Sequence, residues 1–372
     1  MMGTRGVPAR YGGFETCVEE VGQRLAKRGH EVVVYCRRVE GDTEEPPADH
    51  LGMSLITLPA MRRKTLETLS HTALSVRDAR TRRPDVAFVF NSANAPLLPL
   101  LRMWRIPVVT HVDGLEWKRA KWNGAGRRYY RAAESLAVRW SDALIADARG
   151  IQDYYSDRFS VATDYIPYGA PKLGEVGHDL IAELGLTPGG YHLVVARFEP
   201  ENHVDLAVEG YRASAAELPL VVVGSAPYAD AYTRRIRQLA GTDGSVRLLG
   251  GVWDQLQLDQ LYGNALTYVH GHSVGGTNPS LLRAMGAGTA TSAFDVNFNR
   301  EVLGEHGRFF GSAADLAALC EAAEADPEGT RRRGRAQVAT LDRYDWESVA
   351  DAYEALAARL VRTAPRNKSP DE

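Results

Sequence analysis

The sequence predicts an α/β protein built from two doubly wound, parallel-sheet domains of Rossmann-like type facing across a cleft. Two observations predict it. Short β-branched runs alternate with longer helical patterns, as in a parallel sheet wrapped by helices. The 372 residues exceed what one compact core holds and fit two domains of ~150–190 residues. Composition agrees, with 44% hydrophobic and 24% charged residues, the balance of an ordinary globular protein.

In the first half, strands are expected at Glu31–Cys36, Ser54–Leu58, Asp85–Phe90, Pro107–His111, Ala143–Ala146 and Thr163–Ile166. A helix is expected over Phe14–Arg28, where Val18, Val21 and Leu25 recur at helical spacing. The Gly- and Pro-rich segment 167–191 reads as a hinge. In the second half, strands are expected at His192–Ala196, Pro219–Gly224, Val246–Leu249, Thr267–His270 and Thr289–Ala293. Their starts lie 27, 27, 21 and 22 residues apart, which suits successive βα units. Residues 345–361 form an amphipathic helix with Trp346, Val349, Tyr353 and Leu356 on one stripe. The expected organisation is one Rossmann-like domain over 1–168, a second over 169–344, and a C-terminal helix and tail over 345–372 that packs back toward the first domain.

Several function classes drop out. No apolar run approaches the ~18 residues of a membrane span, and no signal peptide opens the chain, which points to the cytoplasm. Cys17, Cys36 and Cys320 are scattered and make neither a disulfide framework nor a thiolate metal site. The ten His form no HExxH, so no protein-held metal and no cofactor is expected. The net charge of −3 hides an asymmetry: residues 1–170 carry 25 basic against 20 acidic side chains, leaving 19 against 27 for the remainder. A basic half on an acidic chain suggests one anionic partner.

Three segments carry chemistry. Gly12 and Gly13 precede the helix near Phe14, where backbone amides can approach an anion or a sugar closely. Arg197 follows directly on a predicted strand and can clamp a diphosphate with its planar fork; pairing with Glu199 or Glu201 is the structural alternative. The run HGHSVGGTNPSLLRAMGAG reads as a strand, a Gly-rich turn and a helix starting near Pro279, whose amides would point at an anion.

Together these pieces resemble the family-4 retaining glycosyltransferases of the GT-B fold. The rhamnosyltransferase-like group, whose members open with GTRGxPARYGGFET, is the nearest in pattern. The blocks GTRGVPARYGGFET, HVDGLEWKRAKW, SDALIADARGIQDYY, IPYGA, RFEPENH and GGTNPSLL carry the resemblance over nearly the whole chain. It implies transfer of a hexose or deoxyhexose, rhamnose included, from a UDP- or dTDP-linked donor to a glycan or polyprenyl-diphosphate-linked acceptor, without a metal. Arg197, Asn202, Gly276, Thr277, Asn278 and Ser280 would hold the donor, with Gly12 and Gly13 on the opposite wall. His111, Asp113 and Glu116 would touch the transferred sugar and acceptor. Lys118, Lys121, Arg127 and Arg128, interleaved with Trp122 and other aromatics, would meet the acceptor and an anionic membrane at its inner face, worth roughly 1 kcal/mol per basic residue. No nucleic-acid reader motif accompanies this patch.

The sequence departs from the resemblance in three places: Asn202 stands where the wider family often carries a Lys, as the PEN motif of the subgroup expects, and two others weigh more. Relatives begin with an apolar strand before GTRG, whereas only Met1 and Met2 precede Gly3 here. The expectation is an open seam in the first sheet, with a misplaced start as the simplest cause. Arg283 also stands where the family carries a Glu that accepts hydrogen bonds from ribose. Arg has five donors and no acceptor, so it would reach a phosphate instead or disable the site. A degenerate GT-B protein that binds a glycan or a partner without turnover is the second reading.

Overall fold

The computed structural model describes residues 1–9, 12–38, 47–61, 66–112, 114–119, 122–225 and 230–363. The chain divides into two compact units, one of residues 1–117, 122–168 and 346–372, the other of residues 118–121 and 169–345.

In the first unit, β1 (Val33–Arg37), β2 (Asp49–His50) and β3 (Met53–Leu58) form a sheet in the order β1-β3-β2. The strands β4 (Ala87–Phe90), β5 (Val108–His111), β6 (Ala143–Ala146) and β7 (Asp164–Tyr165) form a second sheet in sequence order. All pairs are parallel except the short β2–β3 hairpin, whose tight turn left no signal in the sequence pattern. Helices α1 (Gly13–Lys27), α2 (Glu67–Arg82), α3 (Leu98–Met103), α4 (Gly124–Trp140) and α5 (Arg149–Phe159) alternate with these strands.

The expected open seam is corrected by the first two residues. Met2 pairs in parallel with Val89; its N–H donates to Phe88 O and its carbonyl accepts from Phe90 N, both at 2.9 Å. On the other side the Met1 ammonium donates to Val33 O at 2.7 Å, and Tyr35 N donates to Met1 O at 3.1 Å. Two residues thus knit β1 to β4. The glycines that follow are sterically required. Gly3 (φ 97°) and Gly6 (φ 101°) are left-handed, and a Cβ would lie 2.4 Å from Phe90 O and 2.5 Å from Cys36 Sγ respectively.

The second unit holds α6 (Asp179–Glu183), β8 (His192–Val195), α7 (Val204–Ala213), β9 (Leu220–Val223), α8 (Asp230–Ala240), β10 (Val246–Gly250) and α9 (Gln255–Gly263). It continues through β11 (Thr267–His270), α10 (Pro279–Gly286), β12 (Ala290–Phe294), α11 (Asn297–Leu303), β13 (Arg308–Phe310), α12 (Ala313–Ala325) and α13 (Pro327–Val338). Its sheet runs β10-β9-β8-β11-β12-β13 with every pair parallel. β9 is a continuous buried Leu-Val-Val-Val run, as expected for a strand covered on both faces. Val194, Val208, Leu220, Val222, Ile236, Val269 and Leu316 make one of its cores. The order reverses between β8 and β11, the topological switch point beyond whose strand ends such sheets bind ligands.

Helix α14 (Trp346–Thr363) belongs to the first unit. It buries Trp346, Val349, Ala350, Tyr353, Leu356 and Leu360 and packs on α1. A ladder of ion pairs fixes its angle: Arg24 with Glu347 (2.8 Å), and Arg28 with Glu347 (2.9 Å), Asp351 (2.7 Å) and Glu354 (2.8 Å). These carboxylates are largely exposed, so the apolar stripe supplies most of the stability.

Candidate functional site

At the carboxyl end of β8 the chain turns sharply around Arg197. The Arg197 carbonyl accepts from Glu199 N at 2.8 Å and from the Asn202 side-chain amide at 2.8 Å. Asn202 is buried, so it braces the loop from inside. The Arg197 guanidinium stays 53% exposed, 4.0 Å from Glu199, and keeps most of its donors available. His203 Nδ1 donates to Gly271 O at 2.9 Å while its ring stacks on Phe294 at 4.2 Å. Ser273 donates to Glu201 O through N (2.9 Å) and Oγ (3.0 Å). The loops after β8 and β11 are therefore stitched together beside Arg197.

β11 ends in His270, whose ring stacks on His272 at 4.3 Å and 12°. Burial holds the His270 imidazole down to about 3. Burial, with His270 and Arg197 nearby, holds His272 well below the usual range. Both rings are neutral at physiological pH. The Tyr268 hydroxyl lies 3.1 Å from His270 Nδ1, 3.0 Å from Ser280 Oγ and 3.3 Å from Val195 O. Asn278 caps α10, its Oδ1 accepting from Ser280 N (3.0 Å) and Ser280 Oγ (2.8 Å), with Pro279 at the first helical position. Thr277 is buried and Gly276 half-buried in the turn ahead of this cap. A half-exposed guanidinium loosely paired with Glu199, two neutral imidazoles and a helix start at one switch point form an edge suited to an anionic oxygen-rich ligand.

Arg283 has a partner inside the unit. Its guanidinium pairs with Asp259 of α9, which also accepts from Gln255 Nε2 at 3.0 Å. The charge that looked misplaced in the sequence is neutralised by a neighbour on the preceding helix.

In the first unit, Gly12 is left-handed (φ 78°) and Gly13 opens α1. Glu15, in the first turn, accepts from Arg5 N at 2.9 Å; burial pushes its carboxyl up while that N–H works against the shift. His111 ends β5 inside an aromatic cage, with ring centroids at 5.1 Å (Phe14), 5.4 Å (Phe90) and 5.7 Å (Tyr168). Its Nδ1 lies 2.8 Å from the Tyr353 hydroxyl, and burial holds it down to about 3. Glu116 is buried in a short turn, Glu116–Lys118, and accepts from Trp122 Nε1 at 3.3 Å.

Asp113 and Lys121 lie outside the described residues, and Lys118 groups with the second unit. Arg127 and Arg128 are exposed on α4. The aromatic half of the expected membrane face is not: Trp122 is half-buried against Tyr130 at 4.9 Å, and the Tyr129 hydroxyl donates to Ala93 O at 2.6 Å. Their polar tips find partners inside the unit, which turns the rings inward. Among the described residues no three His, Cys, Asp or Glu are grouped to hold a metal, and no helix is long and apolar enough to cross a membrane.

Sequence reasoning missed Tyr353, Tyr268, His270, His272 and Asp259. Tyr268, His270 and the His272 beyond them recur at alternate positions, so one strand face could have been read from the sequence. Nothing in the sequence marked Tyr353 or Asp259 as more than parts of amphipathic helices.

Two parallel-sheet units of this order define the GT-B fold, and solved structures share it. HepE from Anabaena in complex with UDP is 15% identical, with a TM-score of 0.73 over 95% of this chain and 98% of that one. Sucrose-phosphate synthase from Thermosynechococcus elongatus is 21% identical, with a TM-score of 0.79 over 94% of each chain. The UDP-forming α,α-trehalose-phosphate synthase from Burkholderia vietnamiensis is 12% identical, with a TM-score of 0.70 over 94% and 97%. None of the curated proteins matches the chain by sequence. The chain carries a glycosyl transferase 4-like domain over residues 12–169 and a glycosyl transferases group 1 domain over residues 184–337.

Proposed function

We propose that this chain is a metal-independent, retaining glycosyltransferase of the rhamnosyltransferase-like group. It moves a hexose or deoxyhexose from a UDP- or dTDP-linked donor to a polyprenyl-diphosphate-linked or polysaccharide acceptor. The observation that carries the reading is the switch point of the second unit, where Arg197 stands exposed beside neutral imidazoles and the capped start of α10. The UDP and UDP-glucose complexes of HepE support a nucleotide-sugar ligand for this fold. In the reaction the bond from the sugar C1 to the diphosphate oxygen breaks and a bond from C1 to the acceptor oxygen forms on the same face. The acceptor proton passes to the departing phosphate. Arg197 and the α10 amides meet the charge that grows on the diphosphate; Thr277, Asn278 and Ser280 shape the turn that carries them.

The test is turnover of labelled UDP- and dTDP-sugars with polyprenyl-diphosphate acceptors, alongside calorimetric binding of UDP and dTDP. Arg197→Ala is expected to weaken nucleotide binding about tenfold or more, the loss of a charge-assisted contact. Equal binding by wild type and variant would overturn the site. The second reading, binding without turnover, draws on Arg283, whose guanidinium is paired with Asp259. Tight UDP binding with no transfer from any donor would favour it. The exposed Arg127 and Arg128 support contact with an anionic membrane, read out by co-sedimentation with phosphatidylglycerol vesicles and its loss with added salt.

A further inference from the structure

We propose that Tyr353 is a positioning residue that locks His111 as a neutral imidazole carrying its proton on Nε2. The first unit thereby presents a fixed N–H donor, and not a base, to an oxygen of its ligand. The class of ligand, a sugar hydroxyl, rests on the glycosyltransferase reading above; the protonation pattern does not.

The argument is one of counting protons. Among the described residues the Tyr353 hydroxyl, with its one proton, lies 2.8 Å from His111 Nδ1 and 3.5 Å from Cys17 Sγ, and the Asp147 carboxylate also acts on it electrostatically. An imidazole nitrogen is a far better acceptor than a thiol sulfur, and the shorter distance agrees. The thiol keeps its own proton, because burial pushes Cys17 up to about 12. Burial likewise raises Tyr353 well above the usual phenol. The chain therefore runs from the Cys17 S–H to the Tyr353 oxygen and from the Tyr353 O–H to Nδ1. The ring proton must then sit on Nε2. The reverse arrangement would make the thiol sulfur the acceptor of the Tyr353 proton, spending the strongest donor on the weakest acceptor.

The ring cannot escape this state by protonation. Its neighbours Phe14, Phe90 and Tyr168 carry no charge, and His111 is 2% exposed. Nε2 has no hydrogen-bond partner among the described residues, and an unmet buried N–H costs about 1–3 kcal/mol. The carboxyl end of a strand in a doubly wound sheet, where His111 stands, is where such folds bind ligands. Tyr353 comes from α14, 242 residues along the chain from His111. The last helix thus sets the proton pattern of a ring on the central sheet.

The experiment is long-range 1H–15N correlation on the full chain labelled with 15N-histidine. His111 is expected to show the Nε2–H pattern, unchanged from pH 5 to 8. Tyr353→Phe is expected to mix the two tautomers and to lower kcat/KM about tenfold, the worth of one net hydrogen bond, with little change in Tm. His111→Gln, whose amide lies near the Nε2 position, should retain about tenfold more kcat/KM than His111→Asn, whose amide lies near Nδ1. An Nδ1–H pattern in the wild type would overturn the proposal. So would a Tyr353→Phe protein whose spectrum and kinetics match wild type. If no donor sugar turns over, the spectra still decide the proton pattern, so that failure counts against the glycosyltransferase reading alone.

Discussion

The two units end a central strand in the same way and support it differently. His111 on β5 and His270 on β11 are both buried, both neutral with pKa about 3, and both bonded through Nδ1 to a tyrosine hydroxyl. In the second unit the tyrosine is Tyr268, two residues upstream on the same strand. Its neighbours Ser280 and Asn278 lie at the start of the next helix, and Arg197 is braced by Asn202 five residues away. In the first unit the tyrosine arrives from the last helix of the chain. One site is furnished from its own loops, the other by a distant segment. The second can therefore survive damage that dismantles the first.

Removing α14 should break the comparison most severely. Trp346, Val349, Tyr353, Leu356 and Leu360 are all buried, and at ~2 kcal/mol each their loss is on the order of 10 kcal/mol, the scale of a whole domain's stability. A chain ending at residue 345 is expected to exchange its β4–β7 amides rapidly while β8–β13 stay protected in hydrogen-exchange mass spectrometry. Uniform loss of protection in both units would refute local support of the second.

Two substitutions of middling size probe each unit separately. Arg283 and Asp259 are 22% and 17% exposed, so Arg283→Glu, which sets two carboxylates together, should cost about 3 kcal/mol in urea denaturation. Exchanging both residues at once should recover roughly half of that, because the pair is a local one. In the first unit, Glu134 is 3% exposed and accepts from the Tyr154 hydroxyl at 2.8 Å. Burial raises it from 4.5 to about 7. The folded state then holds this proton more tightly than the unfolded one, so stability is greatest below pH 4.5 and falls as pH rises through 7. The loss amounts to on the order of 3 kcal/mol. Glu134→Gln should therefore melt higher than wild type at pH 8 and close to it at pH 4.5.

The acid limb of the stability curve sharpens the likeness itself. His111 and His270 lie at about 3, below the 6.5 of the unfolded chain. The unfolded state binds these protons first, so their stabilisation is complete above pH 6.5 and drains away toward pH 3. Each contributes about 1.4 kcal/mol per pH unit. Replacing either with Gln should flatten the acid limb of the stability curve by one equal step. An unequal pair of steps would mean that the distant tyrosine and the local one do not shield their histidines alike.

The same contrast explains what could be read in advance. Eleven strands announced themselves through β-branched runs, and the parallel order followed from their alternation with helices. β2 and β13, of two and three residues, were too short to show a period. Arg197 and the Asn278–Ser280 turn were legible because their partners lie nearby in sequence. The partnership of His111 with Tyr353 was not, since helical periodicity marks Tyr353 only as core. Asp259 opposite Arg283 was hidden for the same reason: two helices brought together by the sheet leave no joint pattern in either one. Met1 and Met2 read as too little to make a strand, yet two residues suffice where flanking strands already supply both ladders.

The chain leaves the first unit after Tyr168 and regains it at Trp346, which has a consequence for synthesis on the ribosome. The domain whose residues emerge first is the last that can be finished. At 5–20 residues per second, its sheet waits roughly ten to forty seconds for the helix that packs on α1 and Phe88. Meanwhile the inserted domain can already be complete. Nascent chains stalled near residue 340 should therefore be captured by a chaperone through the early domain, and chains released past residue 363 should not.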